Sequence, residues 1–192
     1  GSSAGYLYTE VSNNRHLTTF VFRTEKFNFY DLVTSYRNNL YLKFYIHAYG
    51  SDMGNLYVYI SHLSASEKIR SVKLAEYGPN TTNVWSGFTS YNSPWQEKTI
   101  DITRYSSRPL LGSDGWYIYF VYENATGYKG DLCLDRIQIV ETGMLTKVYQ
   151  FFDQTSATSV SSEWQPTRSY DISFSNDTNS NHQWANGSPA VS

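Results

Sequence analysis

Strict alternation of apolar and polar residues marks the stretch from residue 40 to residue 49. Its even positions are Leu, Leu, Phe, Ile and Ala, and its odd positions are Tyr, Lys, Tyr, His and Tyr. Because side chains alternate between the two faces of a strand, this pattern predicts a strand with one face in the core. The glycines at 50 and 54 predict a hairpin turn, after which residues 55–60 return with the same alternation.

Further short apolar runs recur roughly every 10 to 15 residues, with Gly, Asn, Asp or Pro between them. No segment has the helical character and length that a parallel crossover needs. The pattern therefore predicts an all-β fold, an antiparallel two-sheet jelly-roll sandwich. Besides residues 40–49 and 55–60, the predicted strands are Gly5–Val11, Thr18–Phe22, Ile69–Leu74, Lys98–Thr103, Trp116–Tyr122 and a last one within Gly127–Ile139.

The Gly127–Ile139 stretch places two carboxylates, Asp131 and Asp135, in a late strand that is otherwise apolar. The leucines before Asp135 lie at even positions, whereas the isoleucines after it lie at odd positions. This change of parity predicts a β-bulge near Asp135, and bulges redirect side chains toward functional sites.

The composition changes at about Met144, after which Ser, Thr, Asn and Asp dominate. We expect a jelly-roll body over residues 1–143 and a C-terminal segment over residues 144–192. The run Val148–Asp153 is predicted to add a strand to the same sandwich or to a neighbouring one. Four large aromatic residues in this segment need burial: Trp164, Tyr170, Phe174 and Trp184.

The charge balance gives no reason to expect nucleic acid or an anionic membrane as a partner, since the net charge is -2 and the pI about 6.1. No apolar run approaches the roughly 18 residues of a membrane helix, so we expect no membrane insertion.

Cys133 is the single cysteine, which excludes an intrachain disulfide. Its expected role is that of a small, buried hydrophobic residue. Four Asn-x-Ser/Thr sequons, at Asn80, Asn124, Asn176 and Asn186, permit secretion through a glycosylating pathway.

The residues that would carry catalysis show no recognisable arrangement. The four histidines lack the spacing of a metal site. The compact acidic strand motif of sandwich-type glucanases, Glu-x-Asp-x-x-Glu, is absent from the sequence. We therefore expect a protein that is not an enzyme.

Several short motifs, in order, are similar to those of the MAM domain, an extracellular jelly-roll module. The resemblance runs from Gly5 to about Gly143 and rests on Gly5-Tyr-Leu-Tyr-Thr-Glu, Leu42-Lys-Phe-Tyr-Ile-His-Ala-Tyr-Gly50, Gly54-Asn-Leu-Tyr-Val-Tyr59, Val84-Trp-Ser-Gly87, Trp95 and Gly130-Asp-Leu-Cys-Leu-Asp-Arg-Ile137. It implies a non-catalytic module for adhesion or assembly, located outside the cell or on the surface of a particle.

Two departures from the MAM pattern shape that expectation. The disulfide cysteines of the family are missing, which points to a remote relative such as a viral, phage or bacterial surface protein. The acidic first strand of the family would precede Gly5, but a similar segment, Phe151-Phe-Asp153, lies near the C-terminus. The chain is therefore interpreted as a circular permutant or as a slice through tandem repeats.

Two candidate sites follow. The resemblance implies a structural Ca²⁺ bound by Asp135 and Asp153, with Asp131 as a third ligand; carboxylate oxygens are the ligands this ion prefers. The alternative is that Asp135 pairs with Arg136 or caps a loop and that Asp131 is an acid of the turn.

The second candidate site is an aromatic face, which forms if the strands that carry it share a sheet. It consists of Tyr45, His47, Tyr49, Tyr57, Tyr59, Tyr117 and Tyr119.

Tyrosines on such a face bind protein surfaces or stack against sugars, because they combine aromatic area with a hydrogen-bonding group. Alternatively, they simply cover a sheet or pack under the C-terminal segment. The expected partner is a protein, either another protein or a second copy in a homo-oligomer or tandem array. A carbohydrate-binding module is the alternative function.

Overall fold

A computed structural model describes residues 6–9, 11, 19–24, 27–29, 39–63, 69–106, 115–142, 147–150 and 184–185. These ranges contain ten strands and one short helix. They are β1 (Tyr6–Tyr8), β2 (Thr19–Arg23), β3 (Asn39–His47), β4 (Asn55–Leu63), β5 (Ile69–Tyr77), β6 (Gln96–Asp101), α1 (Thr103–Ser106), β7 (Trp116–Glu123), β8 (Cys133–Thr142), β9 (Lys147–Gln150) and β10 (Trp184–Ala185).

The strands form two antiparallel sheets, which confirms the predicted all-β sandwich. Sheet A has the order β10-β1-β8-β3-β6, with β9 also paired to β8. Sheet B has the order β2-β7-β4-β5. No helix in the described ranges has the length and apolar character needed to cross a membrane.

The core lies between the sheets and is built from the alternating apolar positions. The even residues of β3, from Leu40 to Ile46, are fully buried, as are the even residues of β4 from Leu56 to Ile60. Phe44 of sheet A meets Phe120 of sheet B edge to face, with ring centroids 5.1 Å apart. Aromatic pairs of this geometry add to the stability that burial of their area provides.

The predicted hairpin at Gly50–Gly54 is wrong. Strand β3 pairs with β6 and β8 in sheet A, whereas β4 pairs with β5 and β7 in sheet B. The turn is therefore a crossover between the two sheets. Gly50 has a φ of 145°, and a Cβ there would overlap the carbonyl group of Lys129. The glycine is required for close approach to a second loop, not for a tight hairpin.

The predicted bulge near Asp135 is confirmed. The register between β3 and β8 shifts so that Lys43 faces Gln138 while Tyr45 faces Asp135, which leaves two residues of β8 opposite one of β3. Arg136, one of these two residues, has a φ of 48°. The bulge reverses the parity of the strand, so that Leu134 before it and Ile137 after it both reach the core.

The predicted strand at Val148–Asp153 is present in part. Strand β9 pairs with Gln138–Glu141 of β8, within its own chain, and Phe151–Asp153 lie outside the described residues. Strand β1 pairs with Cys133 and Leu134. Since β3 lies along the other side of β8, β9 and β1 follow one another along a single edge of that strand.

Candidate functional site

The outer face of sheet B carries a patch that extends across all four strands, with its tyrosines on β4 and β7. The register aligns Arg23, Tyr119, Tyr59 and Lys73 in one cross-strand row. A second row contains Val21, Val121, Tyr57 and Glu76. Tyr117 lies two residues from Tyr119 on the same strand, and the two rings are 6.2 Å apart. These eight aligned residues and Tyr117 are called the tyrosine face below.

The centre of the tyrosine face is a small apolar cluster. Val21, Tyr119 and Val121 are buried at 1%, 6% and 5% exposure, beneath the partly exposed Tyr57, Tyr59 and Tyr117. Because cross-strand neighbours lie about 5 Å apart, their side chains cover one another's sides, and Tyr57, Tyr59 and Tyr117 stay partly exposed.

Charged side chains surround this centre. The guanidinium of Arg23 lies 4.7 Å from the centre of the Tyr117 ring, and Lys73 Nζ lies 5.6 Å from that of Tyr57. Lys73 also forms an exposed ion pair with Glu76. The two cations therefore contact the faces of two rings, an attraction that the ring quadrupole supplies.

The predicted aromatic site is not one surface. Tyr57, Tyr59, Tyr117 and Tyr119 do come together on sheet B, but the three residues predicted from β3 and its turn belong to the other side of the sandwich. The reason is the crossover. Tyr45 and His47 are part of β3 in sheet A, and Tyr49 comes directly after this strand.

The outer face of sheet A is a polar network at Tyr45. The hydroxyl of Tyr45 donates to Glu97 Oε2 at 2.9 Å, and Lys43 Nζ pairs with Glu97 Oε1 at 3.0 Å. The bond to Glu97 raises the pKa of Tyr45, and the bonds from Lys43 and Tyr45 lower the pKa of Glu97. The Arg136 guanidinium lies 5.8 Å from the Tyr45 ring. The ring and the hydroxyl group of Tyr45 therefore both have partners within sheet A.

His47 does not lie on an open surface. It is 2% exposed, because Phe88 and Trp95 pack against its ring at centroid distances of 5.2 and 5.8 Å. The motifs at Val84–Gly87 and Trp95 gave no sign in the sequence that the loop between them covers sheet A. Tyr49, by contrast, is partly exposed.

The two predicted carboxylates of the Gly127–Ile139 stretch are buried and separately engaged. Asp131 Oδ1 accepts the backbone N–H of Val11 at 2.9 Å. Asp135 Oδ1 accepts the backbone N–H of Arg136 at 2.7 Å, at the bulge. Asp131 and Asp135 therefore have different backbone partners, and their joint binding of one calcium ion stays a prediction.

In the part of the chain that the structure describes, no three His, Cys, Asp or Glu side chains cluster as a metal site requires. Asp153, the proposed partner of Asp135, lies outside the described residues. A calcium ion held by that pair stays a prediction. Cys133 is buried at 1% exposure, as a small hydrophobe would be.

A hydrogen-bonded hub joins three loops at one end of the sandwich, and sequence reasoning missed it. The buried Tyr122 hydroxyl accepts the N–H of Gly54 and donates to the carbonyl of Gly130. The indole N–H of Trp85 donates to the carbonyl of Gly54 at 2.9 Å. The two glycines in predicted turns were the available signal, but nothing in the sequence indicated that Tyr122 bonds to both.

Comparison with protein-family models and with curated proteins found no match.

Proposed function

We propose that this protein is a non-catalytic assembly module that contacts a protein surface through the tyrosine face of sheet B. The observation that carries the proposal is a patch with an aromatic and aliphatic centre and a charged margin. Interface centres are depleted in charge and enriched in tyrosine, with polar residues around them. The tyrosine face has that arrangement, with Arg23 at one end and Lys73 and Glu76 at the other.

The alternative, a carbohydrate-binding module, fits this face less well. Stacking against sugar requires ring faces that are accessible from solvent. The rings of Tyr57 and Tyr59 are tilted by 39° to each other, and those of Tyr117 and Tyr119 by 59°. Lys73 and Arg23 lie over the faces of two of these rings. Less ring face is then available for a sugar, and aromatic rings with hydroxyl groups also suit a protein surface with its own hydrogen-bonding groups.

The size of the face argues for a weak contact that gains strength by repetition. Four strands span roughly 15 Å, and the five residues Tyr117–Val121 span roughly 13 Å along the strand. The footprint is then on the order of a few hundred Å², below the roughly 800 Å² that each partner contributes to a standard interface. Linked copies increase the apparent affinity without any new contact. This supports assembly in an array of many copies.

Sedimentation of the purified chain over a range of concentrations tests this proposal. We expect a reversible, concentration-dependent increase in mass, which the double variant Tyr57→Thr/Tyr59→Thr abolishes. Threonine keeps the preference for a strand while removing the rings. The matched control is Tyr41→Thr/Tyr45→Thr, which removes two tyrosines from the opposite face and leaves self-association unchanged.

A glycan array read with the same variants tests the alternative. Sugar binding that Tyr57→Thr/Tyr59→Thr eliminates, from a chain that stays monomeric at every concentration, would support a carbohydrate-binding module instead. Loss of self-association in the sheet A control to the same extent would show that the tyrosine face is not the contact surface.

The MAM resemblance supports the same proposal at a coarser level, since it implies adhesion or assembly, and the sandwich is compatible with it. We propose membership of that family as a remote relative, together with a location outside the cell or on a viral, phage or bacterial particle. The exposed positions of the sequons Asn80 and Asn124 are compatible with this location.

A further inference from the structure

The buried imidazole of His47 is held at the interface between sheet A and the loop that connects β5 to β6. Residues 86–95 of this connection are called the covering loop below. His47 forms a hydrogen bond with the backbone of Ser93, while its other ring nitrogen, Nε2, is buried and has no hydrogen-bond partner among the described residues. Phe88 and Trp95 enclose the ring.

The covering loop has a defined structure around the residue that His47 binds. Ser93 Oγ accepts the backbone N–H groups of Thr89 and Ser90, at 2.9 and 3.0 Å, and the Ser93 N–H donates to the carbonyl of Ser90. Gln96 Nε2 donates to the carbonyl of Ser86 at 2.5 Å. These hydrogen bonds hold the covering loop in a defined shape between Ser86 and Gln96.

Trp95 lies across three strands of sheet A. Its ring contacts Tyr6 of β1 at 5.5 Å and His47 of β3 at 5.8 Å. The strand between β1 and β3 is β8, and Cys133 of β8 is the register partner of both Tyr8 and His47. We infer that Trp95 lies over β8 near Cys133, whose exposure is 1%.

We propose that His47 is an acid-sensitive latch, and that its protonation releases the covering loop from sheet A and uncovers Tyr6, Trp95 and Cys133. Protonation adds a hydrogen and a positive charge at Nε2, where the described residues offer no acceptor. A buried, unpaired charge is strongly unfavourable, whereas an exposed imidazolium is hydrated. Opening of the loop relieves the conflict.

The groups around His47 offer little to balance this charge. Residues 78–95, which contain the covering loop, hold no Asp, Glu, Lys or Arg. From the strands, the titratable neighbours on the same face are Tyr6, Tyr8 and Cys133, with Tyr45, Asp135 and Glu97 one register step away. Asp135 already accepts a hydrogen bond from the N–H of Arg136. The hydroxyl group of Tyr45 already donates one to Glu97.

The direction of the pH dependence follows from burial. Desolvation lowers the pKa of His47, and the bond to Ser93 opposes this shift only in part. The open form, with an ordinary histidine pKa of about 6.5, therefore binds more protons than the closed form. The closed form has its full stability above that pH. As the pH falls below it, the equilibrium constant for closing of the loop decreases, by at most a factor of ten per pH unit.

The single thiol of the chain reports the opening. The rate at which Cys133 reacts with a dithiodipyridine reagent is measured from pH 7.5 to 5.0 and divided, at each pH, by the rate for the guanidinium-unfolded chain. This ratio removes the intrinsic pH dependence of the thiol. We expect the ratio to be constant well above pH 6.5 and, at pH 5.0, to exceed that constant value by up to about 30-fold. A ratio that is independent of pH would overturn the proposal.

Two variants separate His47 from the other histidines. In His47→Asn, the amide nitrogen can replace the donor to Ser93 but does not titrate, so the ratio should no longer depend on pH. His62→Asn should keep the acid response of the wild-type chain. An undiminished acid response in His47→Asn would assign the effect elsewhere. If that variant does not fold, an NMR titration of the wild-type His47 ring decides, because a pKa at or above about 6.5 contradicts the latch.

Discussion

Removal of one hydroxyl group, by Tyr122→Phe, should weaken the end of the sandwich where three loops meet. The Tyr122 ring is fully buried. Its hydroxyl accepts the Gly54 N–H at 2.8 Å and donates to the Gly130 carbonyl at 2.5 Å. Burial raises the pKa of Tyr122, so its hydroxyl group stays protonated at neutral pH and serves as a donor.

The expected cost follows from the groups that phenylalanine leaves behind. Both Gly54 and Gly130 are buried, so the N–H of one and the carbonyl of the other lose a partner that water does not readily replace. A buried polar group left without a partner costs about 1–3 kcal/mol. The hydroxyl itself no longer has to be desolvated, which offsets part of the cost. We expect a loss of about 2–3 kcal/mol, equivalent to a lower Tm by roughly 4–12 °C in a chain of this size.

Equilibrium unfolding in guanidinium chloride measures this loss as a shift of the midpoint at constant slope. The matched control is Tyr57→Phe, which removes a hydroxyl from the partly exposed tyrosine face and should change stability by less than about 0.5 kcal/mol. Equal and small effects of the two substitutions would refute the reasoning, because they would show that the Tyr122 hydroxyl does not join the loops.

Three further outcomes are expected. Leu42→Ala, at a fully buried position of β3, should cost about 2–5 kcal/mol in the same unfolding assay, and a cost below 1 kcal/mol would place Leu42 outside the core. Gly54→Ala should lower the free energy of unfolding by about 1–3 kcal/mol, since a Cβ there would overlap the backbone of Glu123. An unchanged midpoint would contradict that contact. A calcium ion between Asp135 and Asp153 should raise the Tm in calorimetry, whereas equal values with calcium and with chelator would remove this hypothesis.

The strands were predictable because their signal is local. In β3 and β4, the period of two separates residues that face the core from residues that face outward, and burial follows this division from Leu40 to Ile46 and from Leu56 to Ile60. The bulge was predictable for the same reason. An insertion in a half-buried strand must change the parity of its apolar residues, and the parity changes after Asp135.

The assignment of strands to sheets was not predictable from the same pattern. Both sheets of a sandwich bury one face in a shared core, so β3 and β4 show the same alternation whether the Gly50–Gly54 turn joins neighbours or crosses between layers. This ambiguity affected the candidate site directly. It grouped Tyr45 and His47 with the tyrosines of sheet B, although the sandwich separates them.

The amino-acid sequence by itself determined the all-β class, the core-facing positions of β3 and β4 and the place of the bulge, because each depends on neighbours within one strand. Tertiary structure decided which tyrosines share a face, that Phe88 and Trp95 enclose His47, and that the hydroxyl of Tyr122 joins two loops. These contacts join residues distant along the chain. Hydrophobic burial is non-directional, so it fixes which side chains are inside without specifying which of them meet.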